Sequence, residues 1–114
     1  MEDYSWEILF FETARGEKIV KEFIKSFGGS TISKIASEVD LLKDNGPFLG
    51  MPYSKKLTKD LYELRVRGKQ EIRIIYGFVG KTVYLLHAFV KKTQKTPIKE
   101  IETALKRFKG LNLV

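Results

Sequence analysis

Hydrophobic positions along the chain change period twice, and the changes divide it into elements. Residues 4–12 are rich in aromatic and β-branched side chains, which predicts a first strand ending before the turn at residues 13–16. Ile19, Val20, Phe23, Ile24 and Phe27 then recur at helical spacing, and Gly28 and Gly29 stop that helix. Ser30 is the predicted N-cap of a second helix with an apolar stripe of Ile32, Ile35, Val39 and Leu42, ended at Asn45-Gly46-Pro47. Residues 48–57, with Gly50, Pro52 and Ser54, carry no period and read as irregular. From there the period is two. In residues 61–67, Tyr62, Leu64 and Val66 fall on one face and Glu63, Arg65 and Arg67 on the other. Gly68-Lys69-Gln70 is a hairpin loop, residues 71–79 a second strand, Gly80-Lys81 a tight turn and residues 82–90 a third strand. Thr96 as cap and Pro97 at the first helical position open a last helix with Ile98, Ile101, Leu105 and Phe108 buried, closed by Gly110. The order β-α-α-β-β-β-α predicts an α+β domain over residues 1–114, with a helical hairpin and a C-terminal helix against one side of a twisted antiparallel sheet.

The hairpin register puts two like charges face to face. With 68–70 as the loop, Arg65 lies opposite Arg73, a pairing that repels across a ladder. Two readings follow: an anion such as phosphate held between two guanidinium forks, or arginines neutralised by Glu63 and Glu71. The next turn places Arg73 level with Ala88, so that Tyr84, Leu86 and Val90 share its face. Lys91, Lys92 and Lys95 follow the strand, and Lys55 and Lys56 precede the sheet.

Composition adds direction. The 114 residues carry 21 Lys and Arg against 14 Asp and Glu, a net charge of +7. Fifteen of the basic residues lie at Lys55 or later, so the second half is strongly cationic, a footprint suited to a phosphate polymer. The absence of Cys rules out disulfides and thiolate metal sites. His87 is the sole histidine, which removes a two-histidine ribonuclease mechanism, and its parity groups it with Ile74, Val83 and Leu85 on a packed face. No ligand spacing for a metal, no phosphate-cradling glycine loop and no nucleophile elbow is present, so neither metal nor cofactor is expected. The acidic start and the lack of a long apolar run argue against a signal peptide or membrane span and point to the cytosol.

Three motifs carry a resemblance. Leu61-Tyr-Glu-Leu-Arg65, Ile72-Arg-Ile-Ile-Tyr76, and the run Leu85-Leu-His-Ala-Phe-Val-Lys-Lys-Thr-Gln-Lys-Thr-Pro-Ile-Lys-Glu-Ile-Glu-Thr-Ala104 resemble the RelE/ParE toxin superfamily, closest to its phage-derived, HigB-type branch. Gly50-Met-Pro-Tyr-Ser-Lys-Lys-Leu57 is similar to the segment that precedes the sheet in that branch. The resemblance implies the fold just read and a toxin of a type II toxin-antitoxin system. Its expected activity is ribosome-dependent cleavage of messenger RNA without a metal, restrained by a helix-turn-helix antitoxin of HigA type. By position it implies catalytic roles for Arg65, Arg73, Lys92 and Glu63, with Lys55, Lys56, Arg67, Tyr84, Lys91 and Lys95 holding RNA. Glu63 stands where RelE has a lysine, and RelE's late tyrosine has no counterpart. The general base is therefore open between Glu63 and a lysine whose pKa is lowered by neighbouring cations. Arg73→Ala is expected to abolish activity with folding intact. A ParE-like DNA gyrase poison and a non-enzymatic RNA-binding module are the alternatives.

Overall fold

The computed structural model describes residues 5–111. Elements run β1 (Glu7–Phe10), α1 (Ile19–Lys25), α2 (Gly29–Asn45), a short 3-10 turn (Gly46–Phe48), β2 (Ser54–Lys56), β3 (Tyr62–Val66), β4 (Ile72–Val79), β5 (Thr82–Val90) and α3 (Ile98–Lys109). The domain is α+β, with one five-stranded sheet in the order β1-β5-β4-β3-β2. Strands β2 to β5 pair antiparallel, whereas β1 runs parallel to β5, Phe10 beside Leu85, so the sheet is mixed. Tyr4, the predicted start of the first strand, lies outside the described residues.

The sheet is covered on both faces, not one. Leu64, Val66, Ile72, Ile74, Tyr76, Val83 and Leu85 form one core with Val20 of α1 and with Ile35 and Leu42 of α2. Ile75, Leu86 and Phe89 form another with Leu61 and with Ala104 of α3, and Leu105 and Phe108 close over it. Alternation along β4, Ile74 to one core and Ile75 to the other, is what a strand of period two produces when both sides are packed. Each fully buried aliphatic side chain is worth roughly 1.5–3 kcal/mol, so each helical layer is held chiefly by these contacts. Gly77 makes the second layer possible: a Cβ there would stand 2.8 Å from the Phe108 ring and 3.1 Å from the Asp60 carbonyl.

Three expectations about element extents and caps need correction. The stretch read as irregular contains β2, whose Ser54 pairs with Leu64 and Lys56 with Tyr62. Helix α2 is capped by extended Gly28, and Ser30 sits inside its first turn. Pro97, with φ −60° and ψ 141°, is the N-cap of α3, which frees Thr96 from capping.

Register is the third layer of organisation. Arg65 faces Arg73 across β3 and β4, as the hairpin arithmetic requires. Between β4 and β5 a bulge shifts the register: Tyr76 pairs with Leu85 but Ile75 with His87, so Arg73 faces Phe89 and not Ala88. Leu86 and His87 both reach the α3 side, Leu86 in its core and His87 bonded to Glu100. His87 is thus half-buried between Glu100 at 3.0 Å and Arg107 at 3.3 Å, not grouped with Val83 and Leu85. Beyond the bulge Val90 pairs with Ile72, a residue of the hairpin-side core, away from the Arg73 face.

Candidate functional site

The end of the sheet near the β3–β4 hairpin carries a buried ion-pair network. Arg73 is 5% exposed and Glu63 1%. Arg73 Nε stands 2.7 Å from Glu63 Oε1, and Nη1 donates to Glu71 Oε2 at 3.0 Å and to the Ile72 carbonyl at 3.2 Å. Thr96 donates its hydroxyl to the other Glu63 oxygen at 2.8 Å, across from the loop that enters α3. One Glu63 oxygen therefore accepts a hydrogen bond, and the other meets Arg73 Nε as an ion pair without a hydrogen bond. Repulsion between the facing arginines is relieved on the Arg73 side by two acids. Arg65 makes no ion pair among the described residues, and its Nε, buried like that of Arg73, has no hydrogen-bond partner there.

Three lysine and arginine side chains gather around this network. Lys91 follows β5 on the Arg73 face, its backbone N–H donating to Glu71 O at 2.7 Å. Its ammonium is held below the usual lysine pKa, first by loss of hydration and then by the charges of Arg73, Arg65 and Lys55, with Glu63 acting the other way. Lys55 pairs across the ladder with Glu63. Arg65 adjoins the cluster and also lines a neighbouring cleft with Arg67, Tyr53, Pro52 and Glu38.

Other predicted residues lie elsewhere. Lys56 projects to the opposite face, its Nζ 5.8 Å from the centroid of the Tyr62 ring, as alternation from Lys55 demands. Tyr84 pairs with Gly77 and Leu9, five residues back along β5 from the partner of Arg73 and so roughly 16 Å away. Lys92 and Lys95 are exposed in the segment after β5, with Thr93 closing a turn onto the Lys95 carbonyl at 2.7 Å. Arg73→Ala cannot be the clean test expected from the sequence, because it would strand a buried carboxylate.

Sequence reasoning missed Thr96, Tyr53 and Glu38. Thr96 reads as a helix cap because it precedes Pro97. The other two are brought to Arg65 only by the packing of α2 and of the loop before β2 against the sheet edge.

The family model described as phage-derived protein Gp49-like (DUF891) matches residues 22–109, which hold every side chain of this network. The chain belongs to that family. The Gp49-like family is a RelE/HigB-like toxin family, and its toxin-antitoxin relation suggests an antitoxin as partner. A search of curated proteins finds no match. Among the described residues, no helix of this Gp49-like protein is long and apolar enough to cross a membrane.

Proposed function

We propose that this Gp49-like protein is the toxin of a type II toxin-antitoxin pair and cuts messenger RNA on the ribosome. The observation that carries the reading is the gathering of Arg65, Lys91 and Lys55 around the buried Arg73–Glu63 pair, on one sheet face of a member of a toxin family. A fixed cationic cluster is what a phosphate gaining charge in a transition state needs.

In this mechanism the ribose 2′-oxygen attacks the adjacent phosphorus and the bond to the 5′-oxygen breaks. A 2′,3′-cyclic phosphate and a 5′-hydroxyl result. Arg65 and the fixed charge of Arg73 hold the phosphate. Lys91, with its lowered pKa, takes the proton from the 2′-hydroxyl, and Lys92, the next residue along the chain, gives one to the leaving oxygen. Glu63, with both oxygens engaged, serves as a positioning residue that holds Arg73. Arg67, Lys55 and Lys95 are further phosphate contacts. Positioning by the ribosome supplies the remainder of the rate.

Primer extension on messages after brief induction of wild type, Arg65→Ala and Lys91→Met tests the proposal. Both residues are partly exposed, and melting curves check that each variant is folded. New 5′ ends inside translated frames, absent from both variants, are expected. Growth arrest with intact messages would turn the case to a gyrase poison, and unchanged cuts in both variants would remove these residues from the site.

A further inference from the structure

Arg65 has a second setting besides the ion-pair network. It forms one wall of a cleft of about 180 Å³ shared with Glu38, Pro52, Tyr53 and Arg67. That volume is below the roughly 300–1,000 Å³ typical of small-molecule pockets, a size suited to one flat ring system. Its walls carry two buried polar atoms without hydrogen-bond partners among the described residues, Arg65 Nε and Glu38 Oε2. One is a donor and the other an acceptor, and they do not satisfy each other. Burial raises the pKa of Glu38.

Tyr53 supplies a face. Its carbonyl accepts the Arg65 N–H at 2.8 Å and its own N–H donates to Gly50 O at 3.0 Å, so the backbone is pinned while the side chain remains 43% exposed. Phe48 and Met51, in the same loop, are 88% and 62% exposed. An exposed aromatic beside two arginines serves a partner that brings both a π-face and negative charge.

We propose that this cleft is a subsite for one nucleobase flanking the cut, and that it selects a base bearing an exocyclic amino group. The base stacks on Tyr53. Its amino N–H donates to Glu38 Oε2, Arg65 Nε donates to the neighbouring ring nitrogen or carbonyl, and Arg67 meets the adjoining phosphate. Because Arg65 serves both settings, the selected base is next to the scissile phosphate. Uracil offers only its ring N3–H, which lies closer to the ring than an exocyclic amino hydrogen and reaches the Glu38 oxygen less well. The inference rests on the ribonuclease reading above and gives it a source of sequence preference.

The test is cleavage of short synthetic messages on programmed ribosomes, with the bases beside the cut varied in turn. Tyr53→Ala is expected to lower kcat/KM about 5- to 150-fold, the worth of one base–aromatic stack, and Tyr53→Phe to recover most of the loss. Glu38→Gln is expected to keep cutting but to lose discrimination against uracil at a single position. Melting curves establish that each variant is folded. Unchanged kcat/KM in Tyr53→Ala, or an unchanged base profile in Glu38→Gln, overturns the subsite. So does wild-type cutting by both variants with weakened antitoxin neutralisation, which would make the cleft a protein contact. If wild-type protein cuts no message under any condition, the ribonuclease reading itself falls, an outcome distinct from cutting that ignores Tyr53 and Glu38.

Discussion

Glu63→Ala removes one partner of a buried pair, and its cost can be worked from the geometry. The Glu63 and Arg73 side chains are 1% and 6% exposed and 2.7 Å apart, so deletion leaves a guanidinium short of its main counter-charge in a dry site. Breaking such a pair from one side costs about 3–5 kcal/mol. Glu71 remains at 3.0 Å, but at 47% exposure it recovers no more than about 1 kcal/mol, which places the loss near the lower figure. For a domain of this size that corresponds to a fall in melting temperature of roughly 10 °C or more. Glu71→Ala is the internal control, expected to cost about 0–1 kcal/mol. The assay is urea unfolding of the two variants beside wild type, with the slope unchanged and the midpoint shifted. A third variant, Glu63→Leu with Arg73→Met, replaces the pair by apolar groups and should regain most of the stability. Equal effects of Glu63→Ala and Glu71→Ala would refute the argument, because the ranking follows directly from burial.

Thr96→Val removes the hydroxyl that donates to Glu63 at 2.8 Å and should cost about 1.5–3 kcal/mol in the same unfolding assay. If Lys91 is the base, the rate of cleavage rises with pH through its lowered pKa, below the usual lysine value, and Lys91→Arg abolishes that limb in single-turnover kinetics. Burial pushes the Tyr76 hydroxyl up to about 12 while Ser54 shares a hydrogen bond with it. The folded state then retains a proton that the unfolded chain loses from about pH 10, so stability falls between pH 10 and 12. Tyr76→Phe should flatten that decline, read by alkaline unfolding alongside tyrosinate absorbance. Gly77→Ala drives a methyl toward the Phe108 ring and the Asp60 carbonyl and should cost about 1–3 kcal/mol, seen as a lower melting temperature.

The facing arginines were legible because a hairpin is counted from its loop: Gly68-Lys69-Gln70 fixes Arg65 opposite Arg73 with no tertiary information. The helix stripes were legible for the same local reason, as Ile35 and Leu42 confirm. Strand β2 was not. Its three residues are too few to show a period, and its pairing to β3 makes it a strand. The network around Arg73 was half legible: Glu63 and Glu71 are neighbours along their strands, whereas Thr96 enters by tertiary packing and is masked by Pro97. Tyr84 was misassigned as a companion of Arg73 because a shared face says nothing of distance along it. His87 and Val90 were turned the wrong way because nothing local marks the bulge.

That bulge makes β5 two rulers offset by one mark. The first half is aligned to the parallel strand β1 and the second to Arg73 through Phe89. Loss of Leu86 would bring the rulers into phase with every other pairing kept: His87 would still meet Ile75, Phe89 would still meet Arg73, and Lys91 would stay on the face of the cationic cluster. The extra residue is slack in the strand, and the alignment of the cluster rests on the pairing beyond the bulge, not on the length of β5. A chain one residue shorter at that point would present the same cluster, so the partners across the ladder say more about the site than a count of residues along β5.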